Sequence, residues 1–378
     1  MSAQTLPQGA ARGVAGPQGV AAGGAQAREA AITIAEYGEF ALIAAIAARF
    51  PASPGLVLGI GDDAAVLRAP DGRVVATTDM LLEGRHFRRE WSAARDIGAK
   101  AAARNLADVA AMGARPTALL VSFAGPGDLE VDWVLELADG IAEECAVAGA
   151  GVAGGDTSGA DAVLVAITAL GDLAGSDPVT RHGARPGDVV AVAGSLGGAA
   201  AGLALLSGGI RRSPDDAIAG LIRAHQRPAP PYDAGPEAAA LGATAMIDVS
   251  DGLLADLGHV ARASGVTIQL SWDLVAAGPA AGADELGRAA DLLGGADWRE
   301  WVLAGGDDYA LAAAFPAGSV LPERWNVIGA VAEAGQGRSG AVTVDGQSGS
   351  GPGGWQHFRG PVAHDQGELP CASQGFST

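Results

Sequence analysis

Six short acidic motifs, spread between residues 59 and 309, constrain this chain more than any other feature. They read GIGDDAAV (59–66), TTDM (77–80), NLADVAAMGA (105–114), GGDT (154–157), IDVSDG (247–252) and GGDDY (305–309). Each falls where an apolar run meets a glycine or a helix start. The fold must therefore bring several strand and helix ends around a cleft. A carboxylate at such an end can bind a hard cation through oxygen. Asp beside Gly is also ordinary turn chemistry, so one motif decides nothing. Six together point to a single site that gathers several divalent ions.

Length and charge narrow the classes. A chain of 378 residues predicts roughly two domains with ample core. Its 43 acidic and 24 basic side chains give a net charge of −19, which argues against a nucleic-acid or anionic-membrane surface. Lys100 is the sole lysine. Cys145 and Cys371 offer neither a disulfide framework nor a CxxC metal site, so a reducing cytoplasm is the expected setting. Residues 189–206 carry no charge and could cross a bilayer by length. They break instead into a β-branched run, a loop and a small-residue helix, which predicts a buried strand–loop–helix unit. No signal peptide is indicated at the N-terminus.

The alternation of apolar runs predicts an α+β protein. Residues 1–32 are Ala-, Gly- and Gln-rich and are expected to be disordered. A first domain, 33–172, opens with a helix carrying Phe40, Leu42, Ile43 and Ile46. Strands follow near 56–60, 64–68 and 73–78, then a helix from Ala93 to Met112, a strand at 117–123, a helix at 131–148 and a strand at 162–170. A second domain, 173–334, has strands near 188–193, 244–249, 266–270 and 309–315, with helices near 198–206, 215–225, 235–241 and 252–264. A Gly/Ser-rich segment, 335–360, ends in an aromatic cluster of Trp355, His357 and Phe358, and 361–378 reads as a disordered tail.

Local chemistry leaves each motif open. On the helix of NLADVAAMGA, Lys100, Arg104 and Asp108 share one stripe, with Asn105 beside them. That stripe is either a solvated face with a surface ion pair or part of a site. In TTDM, Thr77 and Asp79 point one way and Thr78 the other. In IDVSDG, Asp248 and Ser250 share a strand face, while Ser250 or Asp251 suits a helix N-cap. A helix start with acids can also hold a metal, and its N–H groups favour phosphate. GGDT is either a turn or a place where backbone approaches a ligand closely. There is no Walker A loop, HExxH or GxSxG, so zinc hydrolysis and serine catalysis lack support. Clustered aspartates repel one another unless bound cations neutralise them. Such cations would let two phosphorylated molecules meet, with positioning and charge neutralisation doing most of the catalysis.

In order and number, GEFALI, GIGDDAAV, TTDMLLEGRHF, KAAARNLADVAAMGA, GGDT, TRHGARPGD, IDVSDGLLADLGH, GGDDYAL and GWQHF resemble the thiamine-monophosphate kinases, of the aminoimidazole ribonucleotide synthetase-like superfamily. The resemblance covers residues 38–358. It implies a two-domain fold, with an N-terminal mixed sheet that dimerises and a C-terminal α/β sandwich. It further implies ATP-dependent phosphorylation of thiamine monophosphate to the diphosphate with several Mg²⁺ ions, in a cytoplasmic homodimer with no nucleic-acid or membrane partner. By motif, Asp63, Thr77, Thr78, Asp79, Asp108, Asp156, Asp248 and Asp251 are the implied metal ligands. Gly155, Asp156, Arg181 and Ser250 are the implied ATP contacts, and no general base is expected. His86, Asp307 and Trp355 are the implied substrate contacts, with Trp355 offering an aromatic face to the thiazolium. Asp307 stands where the family's segment usually has Glu, Ala310 where a second Glu is common, and Arg85 where an apolar residue is usual. Two other readings remain open: another ATP-using synthetase of the superfamily with a different acceptor, and a non-enzymatic calcium-binding module.

Overall fold

The computed structural model describes residues 31–51, 53–60, 64–335 and 340–348. Asp63, Trp355 with its aromatic neighbours, Cys371 and nearly all of the two expected disordered ends lie outside the described residues.

The expected first helix is two helices, α1 (Ile34–Tyr37) and α2 (Glu39–Ala47). They break at Gly38, whose φ of 86° cannot continue a helix. Thr33 and Glu36 cap α1 reciprocally. Strands β1 (Leu56–Leu58) and β2 (Val66–Leu67) pair as a separate antiparallel ribbon. The rest of the first domain is β3 (Val75–Leu82), α3 (Ala94–Ala111), β4 (Arg115–Gly125), α4 (Val131–Ala148), β5 (Gly151–Gly159) and β6 (Leu164–Asp172). Its sheet runs β3-β6-β4-β5, with β4 and β5 parallel and the other neighbours antiparallel.

Helix α3 is the axis of the molecule. Side chains added at Gly98 and Gly140 would stand 2.0 Å from the Leu137 carbonyl oxygen and 1.9 Å from that of Arg95. Glycine at both places lets α3 and α4 touch backbone to backbone. Almost all of α3 is buried, Lys100 and Asn105 included. The solvated-face reading of its polar stripe is thereby corrected at Lys100, which protein covers, while Arg104 and Asp108 are partly buried.

The second domain contains β7 (Val189–Ala193), α5 (Gly198–Ser207), α6 (Asp216–Gln226), α7 (Ala234–Ala240), β8 (Ala245–Val249), α8 (Leu253–Ser264) and β9 (Thr267–Leu270). It continues with α9 (Trp272–Ala277), α10 (Ala283–Leu292), α11 (Trp298–Ala304), β10 (Ala310–Phe315), β11 (Trp325–Ala332), β12 (Val342–Val344) and β13 (Gln347–Ser348). The sheet order is β13-β12-β9-β11-β7-β10-β8. Strand β12 adds parallel to β9, so the sheet continues past the boundary expected at residue 334. The stretch 189–206 forms the expected strand–loop–helix unit, and among the described residues no helix is long and apolar enough to cross a membrane.

Burial on both faces explains the continuous apolar strands of this sheet. Along β7, Val190 and Val192 join one core with Leu205, Leu221 and Leu257. Ala191 and Ala193 join the other, with Leu106 and Val109 of α3. The first domain therefore supplies the second layer over the second domain's sheet. Strand parity then puts Asp248 on the same face as Met246, and Met246 belongs to the α3-side core.

Candidate functional site

Lys100, Arg104 and Asp108 follow one another at single-turn spacing on α3, and each meets a different partner. Lys100 Nζ donates to Asp307 Oδ2 and to the His225 carbonyl, both at 2.9 Å. Arg104 Nη2 donates to Asp79 Oδ2 at 3.2 Å, and its guanidinium lies 5.9 Å from the centre of the Tyr309 ring. Asp108 Oδ2 accepts from the Thr77 hydroxyl at 2.8 Å. Asn105 Oδ1 accepts from the Asp79 backbone N–H at 2.8 Å, which ties β3 to the same helix.

Asp248 reaches this group from β8. The residue is 4 % exposed, and its Oδ2 finds no hydrogen-bond partner among the described residues. Burial pushes its pKa up to about 8, and the Asp108 and Asp256 carboxylates add to the shift. Asp108 is raised as well, by burial first and by Asp79, against the pull of the Thr77 hydrogen bond. The Arg181 charge acts on Asp108, Asp248 and His259, which brings that exposed arginine to the same rim.

The start of α8 differs from the expected cap. Gly252 is the N-cap residue and makes no side-chain cap bond. Asp256, from inside the first turn, reaches back and accepts the N–H groups of Asp251 and Gly252, each at 3.0 Å. With both bonds made by one carboxylate, neither Ser250 nor Asp251 has to supply the cap. Burial pushes Asp256 up to about 7, against those two bonds.

The GGDDY segment closes the other side. Asp307 N–H donates to the Ser250 carbonyl at 2.8 Å, and Tyr309 N–H to the Val249 carbonyl at 2.9 Å. The two acidic segments IDVSDG and GGDDY thus lie backbone to backbone. Burial would raise Asp307, but Lys100, joined by Arg104 and His225, more than offsets it and holds the carboxyl well below its ordinary range. Asp308 turns the opposite way. It accepts the N–H groups of Gly197 at 2.6 Å and Ala199 at 2.9 Å, capping α5, and burial pushes it up to about 7.

Not every expected residue joins this group. Strand alternation puts the Thr78 side chain on the far face, where its hydroxyl donates to Ile167 O at 3.1 Å and accepts from Thr168 at 3.2 Å. The registers Met80 to Ala166, Ala166 to Ser122 and Ser122 to Asp156 put Asp156 on that far face too. GGDT is thus part of β5 and no turn. A side chain on Gly155 would come within 2.0 Å of the Val121 carbonyl, so this glycine serves the approach of two strands. His86 sits in the turn after β3, with Nδ1 accepting from the Leu82 N–H at 3.0 Å, which leaves the ring proton on Nε2. Asp63 and Trp355 fall outside the described residues.

Could Mg²⁺ bind here? Among the described residues no three Asp, Glu, His or Cys side chains stand close enough to form a ready cage. The donors nevertheless suit a hard cation. Asp79, Asp108, Asp248 and Thr77 are all oxygen ligands, and a buried carboxylate oxygen without a partner calls for positive charge. The residues fit the metal, with Arg104 at present neutralising Asp79.

Known proteins match this chain over most of its length. Residues 61–173 match the AIR synthase related protein N-terminal domain, and residues 185–338 match its C-terminal domain. A curated thiamine-monophosphate kinase of Mycobacterium tuberculosis is 48 % identical over 339 residues, covering 89 % of this chain and 96 % of the relative. One from Corynebacterium glutamicum is 41 % identical over 74 % of this chain and 82 % of its own length. Among solved structures, the thiamine-monophosphate kinase of Stenotrophomonas maltophilia matches with a TM-score of 0.70 at 35 % identity, over 82 % of this chain and 98 % of that one. AaThiL, solved with AMPPCP and TMP, matches with a TM-score of 0.68 at 33 % identity, over 87 % and 100 %.

Proposed function

This chain belongs to the thiamine-monophosphate kinase family, and from that premise we propose how its residues serve the reaction. It transfers the terminal phosphoryl group of ATP to thiamine monophosphate, giving thiamine diphosphate and ADP. The observation that carries the reading is the meeting of Asp108, Asp248 and Asp79 around α3, in a chain similar throughout to relatives that bear this name. Neither a changed acceptor nor a calcium module has an observation in its favour.

Asp79, Asp108, Asp248 and the Thr77 hydroxyl would hold Mg²⁺, with Asp251 and Asp63 as further ligands. Bound Mg²⁺ supplies positive charge to phosphate oxygens. Arg181, at the rim beside Asp108 and Asp248, and Ser250 face ATP. Asp307 and His86 face the acceptor, and Trp355 is kept as a third contact on its motif alone. A phosphate monoester is already an anion at neutral pH, so the acceptor needs no base and the residues' task is orientation and charge balance. We place the division into domains at residues 172–173, near the end of the first family match, and assign the sheet's extension to 348 to the second domain.

Dimerisation through the outer face of the first domain's sheet accords with its exposed Met80 and Leu120. That contact would set Thr78 and Asp156, the two implied ligands on this face, against a second copy. Cys145 is buried and its thiol is pushed up to about 12, chiefly by burial, so it is inert, as suits a cytoplasmic enzyme. The test is direct: purified protein with ATP, Mg²⁺ and thiamine monophosphate should form the diphosphate and ADP in equal amounts. ADP without the diphosphate, or neither product, would overturn the reading.

A further inference from the structure

The chain's sole lysine is 2 % exposed and spans the two domains. An ammonium is strongly hydrated, and burying one is costly unless it is paired and hydrogen-bonded. Lys100 on α3 meets that requirement with partners far away in sequence: the Asp307 carboxylate and the carbonyl of His225 at the end of α6. The pair is unequal. The lysine side chain is 3 % exposed, whereas that of Asp307 keeps 31 %. The buried partner holds, and the accessible one is presented.

Asp307 is fixed on every side that matters. One oxygen takes Lys100, the other takes the Tyr309 hydroxyl at 2.8 Å, and the backbone N–H is tied to Ser250. Its φ of 67° and the 53° of Tyr309 are left-handed values that residues with side chains seldom keep unless neighbours enforce them. Removing the ammonium would release one of two side-chain restraints from a carboxylate in that unusual backbone. Arg104, one turn on, makes the parallel contact to Asp79 and belongs to the metal side.

We propose that Lys100 is a positioning residue for the acceptor: its ammonium holds the Asp307 carboxylate, and Tyr309 through it, in the orientation that meets thiamine monophosphate. This rests on the reading of Asp307 as an acceptor contact. A carboxylate kept ionised complements the cationic thiazolium or the N–H groups of the aminopyrimidine, and it repels the phosphate end. Lys100 therefore acts on which end of the substrate lies at Asp307, without touching the transferred phosphoryl group.

Steady-state kinetics of Lys100→Met, with each substrate varied in turn, test the idea. The KM for thiamine monophosphate should rise about tenfold, the worth of one charge-assisted hydrogen bond. The KM for ATP should stay within about twofold, because the ATP contacts lie elsewhere. Lys100→Arg, which keeps the charge, should recover most of the loss. The double variant Lys100→Met/Asp307→Asn should match Asp307→Asn alone, since one residue acts through the other. An unchanged acceptor KM, or equal rises in both KM values, would overturn the proposal. If Lys100→Met does not fold, the double variant, which leaves no buried charge unpaired, carries the test: an acceptor KM beyond that of Asp307→Asn would sink it. Failure of the function itself shows separately, as a wild-type enzyme that forms no diphosphate.

Discussion

Asp248 and Asp307 sit at the ends of neighbouring, antiparallel strand segments, and the protein treats them in opposite ways. Asp248 is buried with no ion pair, only the Arg181 charge at the rim, has an unpartnered oxygen and is pushed up to about 8 by burial and by neighbouring acids. Asp307 has Lys100 at 2.9 Å and stays ionised well below its ordinary range, although burial opposes it. The contrast separates an acid whose positive charge must arrive with a ligand from one whose positive charge is part of the chain. The first kind suits a metal site that loads and unloads. The second suits a fixed contact that must be ready before substrate arrives.

The contrast breaks most easily at Asp248. Asp248→Asn should lower turnover by about 10²- to 10³-fold or more, the cost of losing charge stabilisation aimed at the transition state. The metal-free protein should lose little stability, because the replaced carboxylate has an oxygen with no bond to lose. Full activity in this variant would remove Asp248 from the metal site, and a collapse of the thermal midpoint would make its role structural. Asp307→Asn should behave in reverse. It leaves the Lys100 ammonium buried without its counter-charge, and stability in urea should fall by about 3 kcal/mol. An unchanged urea midpoint would mean the ion pair contributes little, and the comparison would lose its second half.

Much of this is legible in the chain, and the illegible part has a physical cause. The i, i+4, i+8 stripe of Lys100, Arg104 and Asp108 follows from helical periodicity, and strand alternation alone separates Thr77 and Asp79 from Thr78. The partners of that stripe are out of reach of any local pattern, because Lys100 and Asp307 are 207 positions apart and nothing nearby links them. Their burial is equally invisible, since a polar stripe covered by a second domain looks like one covered by water. GGDT resembles a turn because two glycines usually mark one, yet Gly155 answers to the carbonyl of an adjacent strand. The cap at α8 points to Ser250 or Asp251 in sequence, but Asp256 caps from within the helix, against the usual order. Helices α9 to α11 are not among the expected elements, although α10 buries Leu286, Ala289 and Ala290 on one face and Asp297 caps α11, both of them legible signals.

A pH titration sharpens the same contrast at smaller amplitude. Asp248, Asp256 and Asp308 have folded pKa values raised to about 8, 7 and 7, above the ordinary 3.8. The folded state then binds more protons than the unfolded chain between those limits, so stability falls as pH rises. His225, lowered to about 3, opposes this below about pH 6.5, so metal-free protein should lose stability gently from about pH 4 and most steeply between about pH 6.5 and about pH 8. Asp307, shifted downward, contributes no slope in that window. Mg²⁺ should restore stability mainly at the upper end, where it replaces the proton at Asp248. A flat profile, or equal rescue by Mg²⁺ at about pH 5, would contradict the assignment of Asp248 as the acid awaiting a cation.

Asp308 provides the finest test, because it is Asp307's neighbour in sequence and shares none of its hydrogen-bond partners, although the Lys100 charge reaches both. Its oxygens take the Gly197 and Ala199 N–H groups at the start of α5, dipoles that stabilise a carboxylate less than a full charge does. Hence Asp308 is raised to about 7 by burial while Asp307 is lowered. Asp308→Asn keeps a carbonyl acceptor for one N–H and loses the other, so it should cost about 1 kcal/mol near pH 5, the scale of a helix cap. At about pH 8 the wild-type carboxylate is ionised in a buried place without a counter-ion, and asparagine avoids that penalty. The cost of the substitution should therefore shrink or change sign between about pH 5 and about pH 8. Thermal melts of both proteins across that range decide it. A cost that grew with pH would mean that Asp308, like Asp307, draws on positive charge within the chain, and the division between the two kinds of buried acid would no longer hold.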